Sequence, residues 1–119
     1  MSINKRQVGS EAEIKASEYL REHGYRIVKT NYYCKAGEID IIAYDGEYLC
    51  FIEVKYRKDL SDGYPEEAVD RNKCRRITQS ARFFMNMCGL AETTPCRFDV
   101  VSILGDEVRL IKNAFDAQA

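Results

Sequence analysis

Asp40, Glu53 and Lys55 are spaced so that a hairpin between them would bring two carboxylates and an ammonium onto one sheet face. Carboxylates held that close repel each other unless a positive charge lies between them. A divalent ion meets that need, and Mg²⁺ prefers one or two carboxylates with waters and phosphate oxygens completing its shell. A lysine two residues past a ligand glutamate points the same way from the same strand. There it can orient a water or stabilise charge on a phosphate. These are the parts of metal-dependent phosphodiester hydrolysis. A salt-bridge cluster on a solvated sheet face has the same composition. Glu-x-Lys alone is weak, since Glu13-Ile14-Lys15 matches it too.

The element that must position these residues runs from Glu38 to Lys55. It reads as two β-branched, aromatic strands around Asp45-Gly46, a strong two-residue hairpin signal. With Asp45-Gly46 as the loop, Tyr44 faces Glu47. Ile39, Ile41, Ala43, Tyr48, Cys50, Ile52 and Val54 then share an apolar core face. The other face carries Glu38, Asp40, Glu53 and Lys55 at its open end, with Asp40 opposite Phe51 and diagonal to Glu53, about 7 Å between backbones. A slip of one residue would send Glu53 and Lys55 to the other face.

Before the hairpin, residues Asn4 to His23 follow a helical pattern. Val8, Gly9, Ala12, Tyr19, Leu20 and His23 flank Ala16 on one side. Glu11, Glu18 and Glu22 point away, and Glu13 alone sits at the apolar edge, roughly 60° from its centre. From there Glu13 reaches toward the carboxylate cluster. Alternatively, Ser10-Glu11-Ala12-Glu13 is a capping box at a helix start. Gly24 suits a left-handed helix end, and Tyr25 to Tyr33 read as a strand beside the hairpin. Lys35, in the loop before Gly37, is either a phosphate contact or a solvated lysine.

After Lys55 the chain becomes polar and turn-rich up to Pro65, the pattern of a mobile loop. Arg57 lies two residues past Lys55, where it either meets phosphate or decorates the surface. Pro65-Glu66-Glu67 opens a second helix reaching about Met87. Cys74, Ile77, Ala81, Phe84 and Cys88 form its buried face. Lys73 falls roughly 40° from the centre of that face, so it either snorkels or enters a pocket. Arg71, Arg75 and Arg82 face outward, with Arg76 at the margin. Two further strands, Arg97–Leu104 and Glu107–Ile111, flank a Gly105-Asp106 turn, with Asp99 expected to pair with Arg97. The tail from about Asn113 reads as loosely ordered.

Gly37-Glu38-Ile39-Asp40 followed by Phe51-Ile52-Glu53-Val54-Lys55 resembles the core of the PD-(D/E)xK nucleases. The stretch from Gly9 to Ile103 resembles, more closely, the small bacterial family typified by YraN, itself similar to archaeal Holliday-junction resolvases. Ile39-Asp40 stands where the superfamily's name has proline-aspartate. The resemblance implies a restriction-endonuclease-like fold and a Mg²⁺- or Mn²⁺-dependent endonuclease. Asp40 and Glu53 would hold the metal with help from the Val54 carbonyl. Lys55 would act on the attacking water or the developing charge. Glu13, in the G-x-x-x-E-x-x-A pattern from Gly9 to Ala16, would join the site. Lys73 would contact the phosphate backbone with Arg57 and Lys35. Nucleic acid, DNA in the resembled resolvases, would be the partner, and the enzyme would work as a homodimer. A non-catalytic nucleic-acid- or protein-binding module on the same fold is the alternative.

A chain of 119 residues, 45% hydrophobic, forms a single domain with a modest core. Its net charge of −1 and pI near 5.9 exclude a global pull toward nucleic acid, so binding must come from a local basic patch. No apolar run approaches a membrane span, and Met1 to Arg6 lack a signal-peptide core. Cysteines at 34, 50, 74, 88 and 96 include no C-x-x-C, and one histidine argues against zinc. Reduced structural thiols in a cytoplasmic protein fit this pattern. The expected architecture is α/β: a central mixed sheet of about five strands flanked by helices, in the order α-β-β-β-α-β-β.

Overall fold

A computed structural model describes the backbone of residues 5–118 and side chains from Ser10 onward. The hairpin forms, but around a different pair of loop residues. Strand β2 is Gly37–Asp45 and β3 is Tyr48–Arg57, leaving Gly46-Glu47 as the loop. Only the first loop position has positive φ, at +60° for Gly46, which is the place a type II′ turn reserves for glycine. Asp45 now faces Tyr48, and the pairing runs through Tyr44↔Leu49 and Ala43↔Cys50 to Ile41↔Ile52. The register therefore differs by two residues from the expected one. Side chains alternate with period two, so Glu53 and Lys55 keep their face. Asp40, expected opposite Phe51, lies one step past Ile41↔Ile52 and thus against Glu53.

Strict alternation breaks at Asp40. Ile41, Ala43, Cys50 and Ile52 pack together on one face as expected. Ile39, expected with them, packs instead with Ile42, Leu49 and Phe51 on the other. The β2–β3 ladder ends at Ile41 while β1 still pairs with Ile39 and Glu38, so from Asp40 on the strand is held from one edge alone. Tyr48, also placed on the core face from sequence, is exposed beside the turn.

Five strands form one mixed sheet in chain order, β1 (Arg26–Cys34), β2, β3, β4 (Cys96–Leu104) and β5 (Glu107–Phe115). Neighbours are antiparallel except β3 and β4, which are parallel and need a crossover. Helix α1 (Lys5–Glu22) covers one face through Ala12, Ala16 and Leu20. Helix α2 (Arg71–Met87) supplies the crossover and covers the other through Ile77, Ala81 and Phe84. Beneath α2 a row of rings crosses the sheet, from Tyr32 and Phe84 through Phe51 and Phe98 to Phe115. The α/β architecture and element order agree with the sequence reading.

The helix begins before Ser10, so Ser10 is not its N-cap and the capping-box reading of Glu13 fails. Asn4, the side chain of Val8 and the burial of Gly9 lie outside what the structure describes. At the other end, Gly24 N–H donates to Arg21 O at 3.1 Å and Tyr25 N–H to Leu20 O at 2.9 Å, with Gly24 at φ +88°, a Schellman end that glycine adopts without strain. His23, expected on the apolar face, is exposed and stacks on Tyr19.

Pro65 opens a 3-10 turn, Pro65–Ala68, rather than the helix itself. Helix α2 starts after Asp70, whose side chain accepts from Lys73 N–H at 2.9 Å and so caps it. Asp70→Ala should therefore cost about 1 kcal/mol of stability, read from urea denaturation. Cys88, assigned to the buried face, is the exposed C-cap residue. Strand β5 continues to Phe115, past the point near Asn113 where the sequence suggests a looser tail. Asn113 N–H donates to Asp99 Oδ1 at 2.9 Å and ties that stretch down.

Candidate active site

Asp40 sits where β2 leaves its partner. With no backbone carbonyl opposite, Val54 N–H is satisfied by the Asp40 carboxylate, donating to Oδ2 at 2.8 Å. In an extended strand the N–H and C=O of one residue leave by the same edge, so the Val54 carbonyl belongs to the same opening as Asp40. Asp40 is buried, 8% exposed. Burial above all, then the charge of Glu53, pushes its carboxyl up to about 7; Glu13 and Glu38 add to the rise and the Val54 hydrogen bond opposes it.

Glu53 is still less exposed, at 2%. Its Oε1 meets two ammonium groups, Lys55 Nζ and Lys73 Nζ, each at 3.3 Å. Its Oε2 is buried and has no hydrogen-bond partner. Lys55 comes from the same strand two residues on. Lys73 comes from the first turn of α2, which the Asp70 cap sets over the sheet. Sequence alone left Lys73 between snorkelling and a pocket; it reaches into the site.

Glu13 is half-buried on α1. Burial raises its carboxyl, a hydrogen bond from Asn31 lowers it, and Glu38 and Glu53 raise it further, so it belongs to the same electrostatic cluster. Arg57 lies at the end of β3, its Nη1 buried without a partner, beside the turn at Gly63 rather than against Glu53. Lys35 is not brought into the cluster; its Nζ lies 5.1 Å from the centre of the Phe83 ring. One participant, Asn31, was absent from the sequence reading, whereas Glu38 was placed in the cluster from the start. Asn31 supports Glu13 from a left-handed position at φ +53°, a conformation that asparagine tolerates. Glu38 contributes its charge.

Among the described residues, no three His, Cys, Asp or Glu side chains are grouped to hold a metal by themselves. Asp40 and Glu53 nevertheless suit a hard cation of low protein-ligand demand. Both are oxygen donors, one oxygen of Glu53 lacks a partner, and the charge of Glu53 raises the cost of ionising Asp40. Mg²⁺ fills most of its octahedron with water and needs only one or two such carboxylates.

A model of the uncharacterised protein family UPF0102 matches residues 12–103, a span that holds every one of these side chains. The chain belongs to that family. A UPF0102 protein of Lachnoclostridium phytofermentans is 52% identical over 115 residues, covering 97% of this chain and 98% of its own. A UPF0102 protein of Caldicellulosiruptor saccharolyticus is 41% identical over 119 residues, covering 95% and 100%. One from Chromohalobacter salexigens is 42% identical over 118 residues, covering 96% and 94%. The sequence-based resemblance to the YraN-type family therefore holds. Among the described residues, this UPF0102 member has no helix long and apolar enough to cross a membrane.

Proposed function

We propose that this UPF0102 protein is a Mg²⁺- or Mn²⁺-dependent endonuclease of the PD-(D/E)xK type. The observation that carries the reading is Glu53: a buried carboxylate with one oxygen between two lysines and the other unpartnered, beside Asp40. Burying a glutamate is costly unless it is paired and used. Asp40 and Glu53 would hold the ion, with the Val54 carbonyl on the same edge. The ion would polarise a phosphoryl oxygen and lower the pKa of a bound water. Lys55, fixed on the strand that carries Glu53, orients the water or meets charge developing on the phosphate. Glu13 adds negative charge and a second acceptor at the rim.

DNA is the proposed substrate, with branched structures preferred. A junction presents paired scissile strands, which a symmetric dimer would meet. Helix α2 offers the nearest basic surface: Arg71, Arg75 and Arg82 are exposed and the helix contains no acidic residue. Five free cysteines suit a reducing compartment, which supports the cytoplasm. The alternative, a binding module that does not cut, is favoured by the net charge of −1.

The test is cleavage of end-labelled single strands, duplex, flap and four-way junction in Mg²⁺ and in Mn²⁺, with Asp40→Asn purified in parallel. Metal-dependent cutting by wild type alone is the expected result. Intact gel shifts with no cutting by either protein would transfer the reading to the binding module.

A further inference from the structure

Two ammonium groups share one carboxylate oxygen in this site, an arrangement with a built-in tension. Lys55 and Lys73 both approach Glu53 Oε1 at 3.3 Å. They therefore stand close to each other, while Oε2 of the same carboxylate has no partner at all. Like charges so placed repel, and the repulsion grows where the surroundings are dry. Their common partner is 2% exposed, whereas about a quarter of each lysine side chain remains accessible. Both ammonium groups thus stand at the mouth, with Glu53 beneath them.

The two lysines differ in what holds them. Lys55 is locked in the middle of the sheet: it shares a strand with Glu53 and pairs with Ser102 on β4. Its position relative to Glu53 is set by strand geometry. Lys73 arrives from another element, at the first turn of α2, where its backbone is anchored by Asp70 and only its flexible stem reaches the site. A shared strand keeps Lys55 beside Glu53, whereas only the side chain of Lys73 joins α2 to that carboxylate.

We propose that Lys73 is the exchangeable counter-ion of Glu53: it neutralises the buried carboxylate in the metal-free protein, yields that place to a divalent cation, and then meets the phosphodiester at the mouth of the site. The inference rests on the metal-site reading above and adds what it lacks, a residue that competes with the ion. It explains why a carboxylate so buried is held in place before any ion arrives. It also accounts for a lysine from a helix sharing an oxygen with the lysine of the strand.

The experiment is titration of Mn²⁺ into the full chain, with free Mn²⁺ followed by electron paramagnetic resonance. Wild type, Lys73→Met, Lys73→Gln, Arg75→Gln and Asp40→Asn are compared. Both Lys73 variants should bind Mn²⁺ about tenfold more tightly than wild type, because a like charge at the site is gone. Arg75 is exposed on the same helix and carries no ion pair among those described, so Arg75→Gln controls the metal titration alone for the loss of one charge elsewhere and should change Mn²⁺ affinity less than about twofold. In Ca²⁺ the Lys73 variants should bind a fluorescent duplex about fivefold more weakly than wild type. Tighter metal with weaker nucleic acid is a pattern that general loosening of the fold does not produce, since it would weaken both. Lys73 variants that bind Mn²⁺ no better than Arg75→Gln, while Asp40→Asn loses the ion, would overturn the exchange and leave the metal site standing. Mn²⁺ binding that Asp40→Asn leaves unchanged, or no binding by any form, would bring down both.

Discussion

Asp40→Asn is expected to stop metal-dependent cleavage and, in the same molecule, to raise stability in chelator at pH 8 by ~1–3 kcal/mol. The carboxyl group ionises near 3.8 in the unfolded chain and at about 7 when folded, through burial first and Glu53 second. Between those values the folded state keeps a proton that the unfolded state has released. Stability contributed by Asp40 is therefore fully present below about 4, is lost as pH rises toward 7, and levels off above it. The loss is on the order of 4 kcal/mol as an upper bound. Asparagine keeps an acceptor for Val54 N–H and has no charge to bury, so its advantage should vanish at pH 4. Urea denaturation of both proteins at pH 4, 6 and 8 measures the slope. Added Mg²⁺ should restore wild-type stability at pH 8 and do nothing for Asp40→Asn. Parallel pH profiles for the two proteins would show that the buried carboxyl carries no such strain.

Asp99→Ala should be the most damaging single change away from the site, lowering stability by ~3–5 kcal/mol. Asp99 is fully buried and takes four hydrogen bonds: Tyr25 hydroxyl at 2.9 Å, Arg97 Nε at 2.8 Å and Nη2 at 2.9 Å, and Asn113 N–H at 2.9 Å. Arg97 Nη2 also reaches Asp45 at 2.8 Å, so one guanidinium joins the β2–β3 turn to β4. Alanine would leave Asn113 N–H without its acceptor and strip Arg97 of its buried partner. A thermal melt should show the midpoint falling by roughly 15 °C, a large share of the margin a domain this size has. Asp99→Asn retains one acceptor and should fall less. A midpoint within a few degrees of wild type for Asp99→Ala would mean that the buried network adds little to the β4–β5 ladder and the core.

Much of this was legible because the informative residues are local. The alternation from Ile41 to Ile52 gave the hairpin and its faces, and helical spacing put Lys73 near the inner side of α2. The exact register was not legible. Asp45-Gly46 and Gly46-Glu47 are both acceptable loops, differing in which positions need positive φ, and strand alternation cannot separate registers two residues apart. That ambiguity spared the faces but misplaced Asp40 relative to Glu53. The start of α2 was misplaced for a similar reason: Pro65 is as good in a 3-10 turn as in a helix, so the helix was begun there and Asp70, its actual cap, fell inside it. The contact between Lys73 and Glu53, and the Glu66 carboxylate that accepts from the Ser102 hydroxyl at 2.7 Å, join distant segments, which no local pattern records.

The parallel pairing of β3 with β4 has a consequence for when the site comes into being. Helix α1 and strands β1 to β3 are joined by short connections and meet through neighbours in the chain. Leu49 finds Cys96 only after the whole crossover has been laid down. Non-local pairing of this kind is slow, because chain entropy must be lost before any contact compensates for it. Asp40, Glu53 and Lys55 are therefore drawn together early by the hairpin. Lys73 arrives with α2 in the late step, and until then the two carboxylates share a single lysine.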